Sequence, residues 1–290
     1  MSFLSSGVAV VTGAASGIGR ALAQRLAAAG SALAIADLDE AGLQETAQSL
    51  AKTSLAKTSA LATTHVVDVA KEESVKSFAA DVRARHGRVT LLINNAGVAL
   101  HGDFEEISLD DLRWVMNINF WGTVSGVKYF LPMLKLEPRA HIVNLSSVFG
   151  LIAPAGQAAY SASKFAVRGF TEALRHELAP TNVGVSCVHP GGIRTSIANR
   201  ARVGSATAPG KREESIKRFE KLARTTPEKA AAVILQGVER REPRILIGID
   251  AYQVDILQRL RPATYWKSLA RRLKDPAAAR KASAVKQPTS

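Results

Sequence analysis

Apolar runs of strand length alternate along the chain with longer stretches whose apolar residues recur every three or four positions. Residues 7–11, Gly-Val-Ala-Val-Val, form an unbroken apolar run, the pattern of a strand covered on both faces. Residues 17–29 follow in helical period, with Ile18, Leu22 and Leu26 on one stripe and Gly30 as a stop. The alternation continues with strands expected at 32–36, 63–67, 90–93, 140–145 and 183–188, and a candidate seventh at 244–247. Helices are expected at 40–50, 72–85 and 158–178, with one long helix at 109–134. Strands separated by helices pair in parallel, and right-handed crossovers put the helices on both faces. The pattern therefore predicts an α/β chain with a single doubly wound, mainly parallel sheet of six to seven strands.

Composition adds less than pattern. Of the 290 residues, 47% are hydrophobic and 22% charged, the balance of a globular protein with ample core. No linker is evident before residue 190, and residues 1–258 read as one catalytic domain. Residues 196–226 are polar and basic, carry Gly204, Pro209 and Gly210, and are expected to form a lid over a cleft. The formal charge of +13 is concentrated late: residues 259–290 hold nine Lys or Arg against Asp275, while residues 1–258 carry only +5. Residues 259–274 read as a basic amphipathic helix with Tyr265, Trp266, Leu269, Ala270 and Leu273 on one face, and 275–290 as a disordered tail. A helix of that kind lies peripherally on an anionic membrane, or packs on its own domain or another subunit; the pattern leaves both open. No nucleic-acid motif accompanies the basic residues, so no nucleic-acid partner is expected. The N-terminal residues lack the basic and apolar regions of a signal peptide, and no run approaches the ~20 residues of a membrane span, so a cytoplasmic location is expected. A single cysteine, Cys187, excludes a disulfide framework and reads as a core thiol; no cluster has metal-ligand spacing, and no metal is expected.

Chemistry enters where the first strand ends. Thr12-Gly13-Ala14-Ala15-Ser16-Gly17-Ile18-Gly19 joins strand to helix. Glycines there permit a tight turn and the close approach of a pyrophosphate, and the helix N-terminus offers free N–H groups. Gly13, Ser16, Gly17, Ile18 and Gly19 are accordingly candidate dinucleotide-binding positions. Asp37 closes the second strand, where an acid accepts hydrogen bonds from the adenosine ribose and repels a 2′-phosphate. Neither Ser16 nor Leu38 supplies the cation that a 2′-phosphate wants, so NAD is expected in preference to NADP. Asp37 would otherwise cap the next helix, a role Asp39 can fill. Further on, Tyr160 and Lys164 stand one helical turn apart, and Ser147 precedes Tyr160 by thirteen residues. An ammonium beside a phenol favours phenolate and lowers the tyrosine pKa from about 10, which suits proton exchange near neutral pH.

These segments occur in order with Asn94-Asn95-Ala96-Gly97, with Asn119-Phe-Trp-Gly122 and with Pro190-Gly191-Gly192-Ile193-Arg194-Thr195. Across residues 7–195 the chain resembles the short-chain dehydrogenase/reductases, whose sheet is of Rossmann type. The resemblance implies that Tyr160 is the general acid/base, that Lys164 binds the nicotinamide ribose and lowers the tyrosine pKa, and that Ser147 holds the substrate oxygen. It implies that Asn119 anchors the lysine through a water in a proton relay. Asp68 and Val69 would flank the adenine, and Asn95, Ala96 and Gly97 would line the adenosine side. Pro190, Gly191, Ile193 and Thr195 would face the nicotinamide. Ser146 rivals Ser147 and Asn117 rivals Asn119; spacing to Tyr160 and to Gly122 favours Ser147 and Asn119. The family also implies a homodimer or homotetramer.

The implied reaction is reversible hydride transfer between NAD(H) and a secondary alcohol or ketone. Beside Ser147 and Tyr160, the substrate contacts are expected from Phe149 and Gln157, with Val148, Ala153, Pro154, His101 and the 196–226 segment near them. Val148, Phe149 and Ile197 suggest a lipophilic substrate; Arg194 and Arg200 would suit an anion but read better as solvated. His189 reads as a packed histidine. The alternatives are an NADP-dependent carbonyl reductase and a non-catalytic dinucleotide-binding sensor or scaffold.

Overall fold

Every expected strand forms within two residues of its predicted place, and beside the expected strand at 244–247 four more elements follow residue 190. In chain order the elements are β1 (Val8–Thr12), α1 (Gly17–Ala29), β2 (Ala32–Asp37), α2 (Glu40–Lys52), β3 (Ala62–Val66), α3 (Glu72–His86), β4 (Leu91–Asn94), β5 (Leu100–His101) and α4 (Leu109–Met116). There follow α5 (Gly122–Lys135), β6 (Ala140–Leu145), α6 (Ala158–Leu178), β7 (Val183–Pro190), β8 (Arg202–Val203), α7 (Pro227–Glu239), β9 (Arg244–Ile247), α8 (Ile249–Leu260) and α9 (Tyr265–Arg272). This computed structural model describes residues 3–52, 62–204, 206, 207, 210, 213, 216, 217, 220 and 223–272, with side chains to residue 268.

The seven strands of the main sheet run in the order β3-β2-β1-β4-β6-β7-β9, and all neighbours pair in parallel. Alternate side chains enter opposite layers. Ala9, Val11, Leu33, Ile35, Leu91 and Ile93 pack with Leu22 and Leu26 of α1 and Ile234 of α7. Val10, Ala34, Leu92 and Ile142 pack with Phe78, Val127, Phe130 and Leu174 from α3, α5 and α6. With both faces covered, the strands read as unbroken apolar runs. The chain moves outward in one direction from β1 to β3 and in the other from β4 onward. Between β1 and β4 the loops diverge and leave a crevice at the carboxyl ends of the strands.

Three expectations change. The long helix at 109–134 is interrupted by a π turn at Asn117–Trp121, because the Asn119 side chain is drawn into tertiary hydrogen bonds. The boundary expected at 258/259 falls inside α8, and the helix expected at 259–274 is two pieces separated around Pro262. The expected lid is described only in part. It contributes β8, which pairs with β5 in a small second sheet, and Thr225, which bridges Ile193. The side chains of Leu269, Ala270 and Leu273 and the tail at 275–290 lie outside the described residues.

Candidate active site

The glycine turn is held from β4. Gly13 and Gly17 have positive φ, +66° and +55°, which a side chain at either place would strain. A Cβ on Gly19 would collide with the Gly13 carbonyl and the Asn95 amide. Asn95 Nδ2 donates to the carbonyls of Thr12 (2.9 Å) and Gly13 (3.0 Å), and Thr12 Oγ1 accepts from the backbone N–H groups of Asn95 and Ala96 at 3.1 Å. Ser16 and Ile18 open α1, and the Ser16 hydroxyl makes no capping bond. The Asp37 carboxylate accepts from the N–H of Ala15 at 2.9 Å and of Asp39 at 3.1 Å, while Asp39 accepts from Gly42 N at 3.0 Å. The two acids divide the work: Asp39 caps α2, and Asp37 fixes the edge of the glycine turn. Asp68 accepts from Ala70 N at 3.1 Å, and Val69 lies 3.0 Å from where a Gly122 Cβ would stand.

The opposite wall is the turn after β7. A Cβ on Gly17 would stand 3.1 Å from Thr195 Cγ2, so this turn meets the N-terminus of α1. Pro190 ends β7, Gly191 N donates to Ile247 O at 2.9 Å, and Ile193 bridges Thr225. Gly192 N donates to Asp250 Oδ2 at 2.7 Å, and Asp250 fills the space where a Gly191 side chain would go. Asp250 comes from the start of α8, in a region without a recognised motif, and sequence reasoning missed it.

Ser147, Tyr160, Lys164 and Asn119 converge between these walls. Asn119 is fully buried; its Nδ2 donates to Val98 O and Ser163 Oγ, both at 3.0 Å, and its Oδ1 accepts from Val98 N at 2.8 Å. Asn117 is exposed on the same π turn. A Cβ on Gly97 would lie 3.1 Å from Asn119 Oδ1 and 3.4 Å from Lys164 Nζ, so the amide and the ammonium border one small space. Lys164 Nζ donates to Leu145 O at 3.0 Å and sits 5.8 Å from the centre of the Tyr160 ring. The Ser147 side chain faces Tyr160 and favours its phenolate, while its Oγ accepts from Phe149 N at 3.1 Å, whereas Ser146 turns away to donate to Lys164 O at 2.8 Å.

Burial alters the proton chemistry expected of this pair. Desolvation pulls Lys164 down to about 8 and pushes Tyr160 above its ordinary value, against the hydrogen bond from Ser147. For Tyr160 the desolvation outweighs the lowering by Ser147, so without a bound cofactor the direction is upward. His189 is fully buried, donates from Nδ1 to Ser147 O at 3.0 Å, and is held neutral by burial, with its pKa lowered to about 4. It positions the serine backbone, consistent with a packed histidine. Cys187 is buried in β7, and desolvation raises its thiol to about 12.

Apolar and mixed groups surround the Tyr160 hydroxyl. Phe149 stands edge-on to Tyr160 at 6.1 Å, and Gln157 pairs with Nδ1 of His101 on β5 at 2.8 Å. Tyr160 also packs in a cluster with Leu100, Ile107, Leu112 and Trp114, none of which the pattern had marked. Tyr265 Oη accepts from Ala153 N at 3.0 Å, bringing the start of α9 to the loop after Ser147. Arg194 donates to Arg224 O at 3.1 Å, and Arg200 reaches Asp39 at 3.5 Å, so both are engaged at the protein surface.

Comparison with known proteins gives one answer. A family model for short chain dehydrogenase matches residues 7–205. The oxidoreductase SadH of Mycobacterium tuberculosis is 43% identical over 277 residues, covering 93% of this chain and 96% of that one. Dehydrogenase/reductase SDR family member 7B of Xenopus tropicalis is 34% identical, covering 94% and 87%. Among solved structures, a short-chain dehydrogenase/reductase from Burkholderia phymatum in complex with NAD superposes with a TM-score of 0.80 at 30% identity, covering 90% of this chain and 96% of that one. With its parallel sheet, its pinned glycine turn and these relatives, the chain is an oxidoreductase that belongs to the short-chain dehydrogenase/reductase family.

Proposed function

We propose that the protein transfers hydride reversibly between NAD(H) and a secondary alcohol or ketone, with Tyr160 as general acid/base. The observation that carries this reading is the convergence of Ser147, Tyr160, the buried Lys164 and the buried Asn119, with Lys164 Nζ 5.8 Å from the Tyr160 ring and held by Leu145 O, next to the pinned glycine turn. The residues fit a dinucleotide: positive-φ Gly13 and Gly17, the crowded Gly19 and the N-terminus of α1 form a cradle with no room for a Cβ. A bound nicotinamide supplies or accepts the hydride, and the protein manages one proton. Ser147 and Tyr160 hold the reacting oxygen together. Tyr160 takes the hydroxyl proton in oxidation and returns it in reduction, and Lys164 supplies the positive charge that favours phenolate. Asn119 keeps α6 and the π turn in register with Val98, beside the space that a relay water would use.

Asp37 supports NAD, since its carboxylate at the ribose edge repels a 2′-phosphate. The Burkholderia phymatum relative, crystallised with NAD, supports the cofactor class. Arg200 against Asp39 is the observation that favours the NADP alternative, because a 2′-phosphate could recruit it. Phe149, Leu112 and Trp114 favour a lipophilic substrate. A homodimer or homotetramer is proposed from the family, and light scattering would measure it. The deciding experiment is a ketone and alcohol panel with NAD and NADP side by side, run on wild type and Tyr160→Phe. The variant should keep NADH binding and lose roughly 10²–10⁴-fold in turnover. Near-wild-type turnover would end the assignment of Tyr160, and a large NADP preference would overturn the reading of Asp37.

A further inference from the structure

Helix α8 is amphipathic in the inverted sense. At about 100° per residue, Ile249, Tyr252, Ile256 and Leu260 fall within an arc of roughly 80°. All four face solvent, with 69, 51, 57 and 77% of their surface exposed. The side toward the domain carries the small Ala251 and the acidic Asp255, both buried. Asp255 pairs there with Arg244 of β9 and, at 3.2 Å, with Arg259. The Asp255–Arg244 pair and the half-buried Val254 and Leu257 therefore hold the helix to the domain, and the apolar stripe is left to the outside. A line of four large apolar side chains on an exposed helix marks an interaction surface.

The surroundings of the stripe indicate its partner. Arg259 and Arg261 flank Leu260, and residues 259–290 carry nine Lys or Arg against Asp275, a net +8. We propose that this face of α8, with Arg261 and Lys267 beyond its end, binds an anionic lipid surface: the stripe enters the interfacial region and these cations meet the headgroups. The net charge of residues 259–290 complements an anionic surface. No helix among the described residues is long and apolar enough to cross a membrane, so the contact is peripheral. Tyr265 ties the start of α9 to Ala153, on the loop that follows Ser147.

The test is flotation of the full chain with phosphatidylcholine vesicles and with phosphatidylglycerol-rich vesicles, at low and high salt, for wild type and for Ile256→Asp/Leu260→Asp. Wild type should float with the anionic vesicles, far less with phosphatidylcholine alone, and less at high salt. The double variant should bind at least tenfold more weakly, with its thermal midpoint unchanged. Absence of wild-type flotation at low salt overturns the proposal, and so does a double variant that binds like wild type. Sedimentation velocity adds a third arm: if the substitutions dissolve an oligomer and leave vesicle binding untouched, the stripe is a contact between copies and the proposal fails.

Discussion

The two walls of the crevice are held by different kinds of interaction. On the β1–β4 side, the glycine turn is fixed mostly by neutral hydrogen bonds between Asn95, Ala96 and Thr12 and by close contact at Gly19, with the Asp37 carboxylate at its edge. On the β6–β7 side, the framework contains ionisable groups taken out of water: Lys164 and His189 beside Ser147, Cys187 within β7, and His141 at the far, amino end of β6. The first wall is held mainly by groups that do not change charge. The second, where a proton has to move, ties its stability to protonation. A receptacle for a cofactor can be built from fixed dipoles, whereas an acid/base site needs groups whose charge can change.

Acid should separate the walls with the largest effect. Burial lowers His141 to about 3 and His189 to about 4, from an ordinary 6.5. As pH falls below 6.5 the unfolded chain takes up protons that the folded chain refuses, so the stability present above 6.5 is lost toward pH 4. At ~1.4 kcal/mol per pH unit for each group, the loss is roughly 3–6 kcal/mol. Urea midpoints from pH 7 to 4 would measure it. His141→Gln and His189→Gln should each flatten the slope, and an unchanged slope in both would break the contrast. Lys164 acts at the other end: with a folded value of about 8 against 10.5, raising pH between those values adds stability. Tyr160 opposes this above pH 10, because the folded phenol keeps a proton that the unfolded one releases.

The neutral wall should fail by collision. Gly19→Ala drives a methyl group against the Gly13 carbonyl and the Asn95 amide and should cost about 3 kcal/mol. NADH affinity should fall with it, while the urea profile keeps the wild-type pH slope. A variant that lost stability only in acid would show that the two walls are not independent.

How much of this the sequence carried depended on the range of the interaction. Helices α1 and α6 and strand β6 match their predicted limits because apolar period and stop signals are local. The interruption at Asn117–Trp121 was invisible: the apolar period runs through it, and its cause is Asn119 bonding Val98, twenty-one residues away. Strands β5 and β8, of two residues each, are too short for any alternation to register. Helix α8 escaped because its apolar stripe faces outward. In the site, motif spacing placed Ser147, Tyr160 and Lys164 together, but helical spacing reports shared faces and not desolvation, which acts on the tyrosine in the opposite direction to a neighbouring cation. Asp250 lies fifty-eight residues from its partner Gly192, beyond the reach of any local signal.

Asp250 is also the position at which to sharpen the comparison, since it is a charged pin holding a neutral turn. Asp250→Ala leaves Gly192 N–H without its acceptor and should cost about 1–2 kcal/mol. Because the turn leads into Ile193 and Thr195, the loss should appear mainly as a rise in KM for the cofactor, with kcat less affected. Asp250→Asn retains an acceptor oxygen and should restore most of the affinity. If the amide variant were as impaired as the alanine variant, the negative charge would be the operative feature, and this wall would be electrostatic throughout.

The smallest effect is expected where the second wall meets the C-terminal helices. Tyr265 Oη accepts from Ala153 N at a partly solvated position, so Tyr265→Phe loses one hydrogen bond that water can replace. The stability change should stay below about 1 kcal/mol. Ala153 lies on the loop that follows Ser147, and loosening it should raise KM for a bulky ketone several-fold while leaving cofactor KM unchanged. Kinetics with one small and one bulky ketone would check this. Equal changes for both would mean that the hydrogen bond supports the fold without shaping the pocket, and would confine the substrate wall to the residues around Phe149 and Gln157.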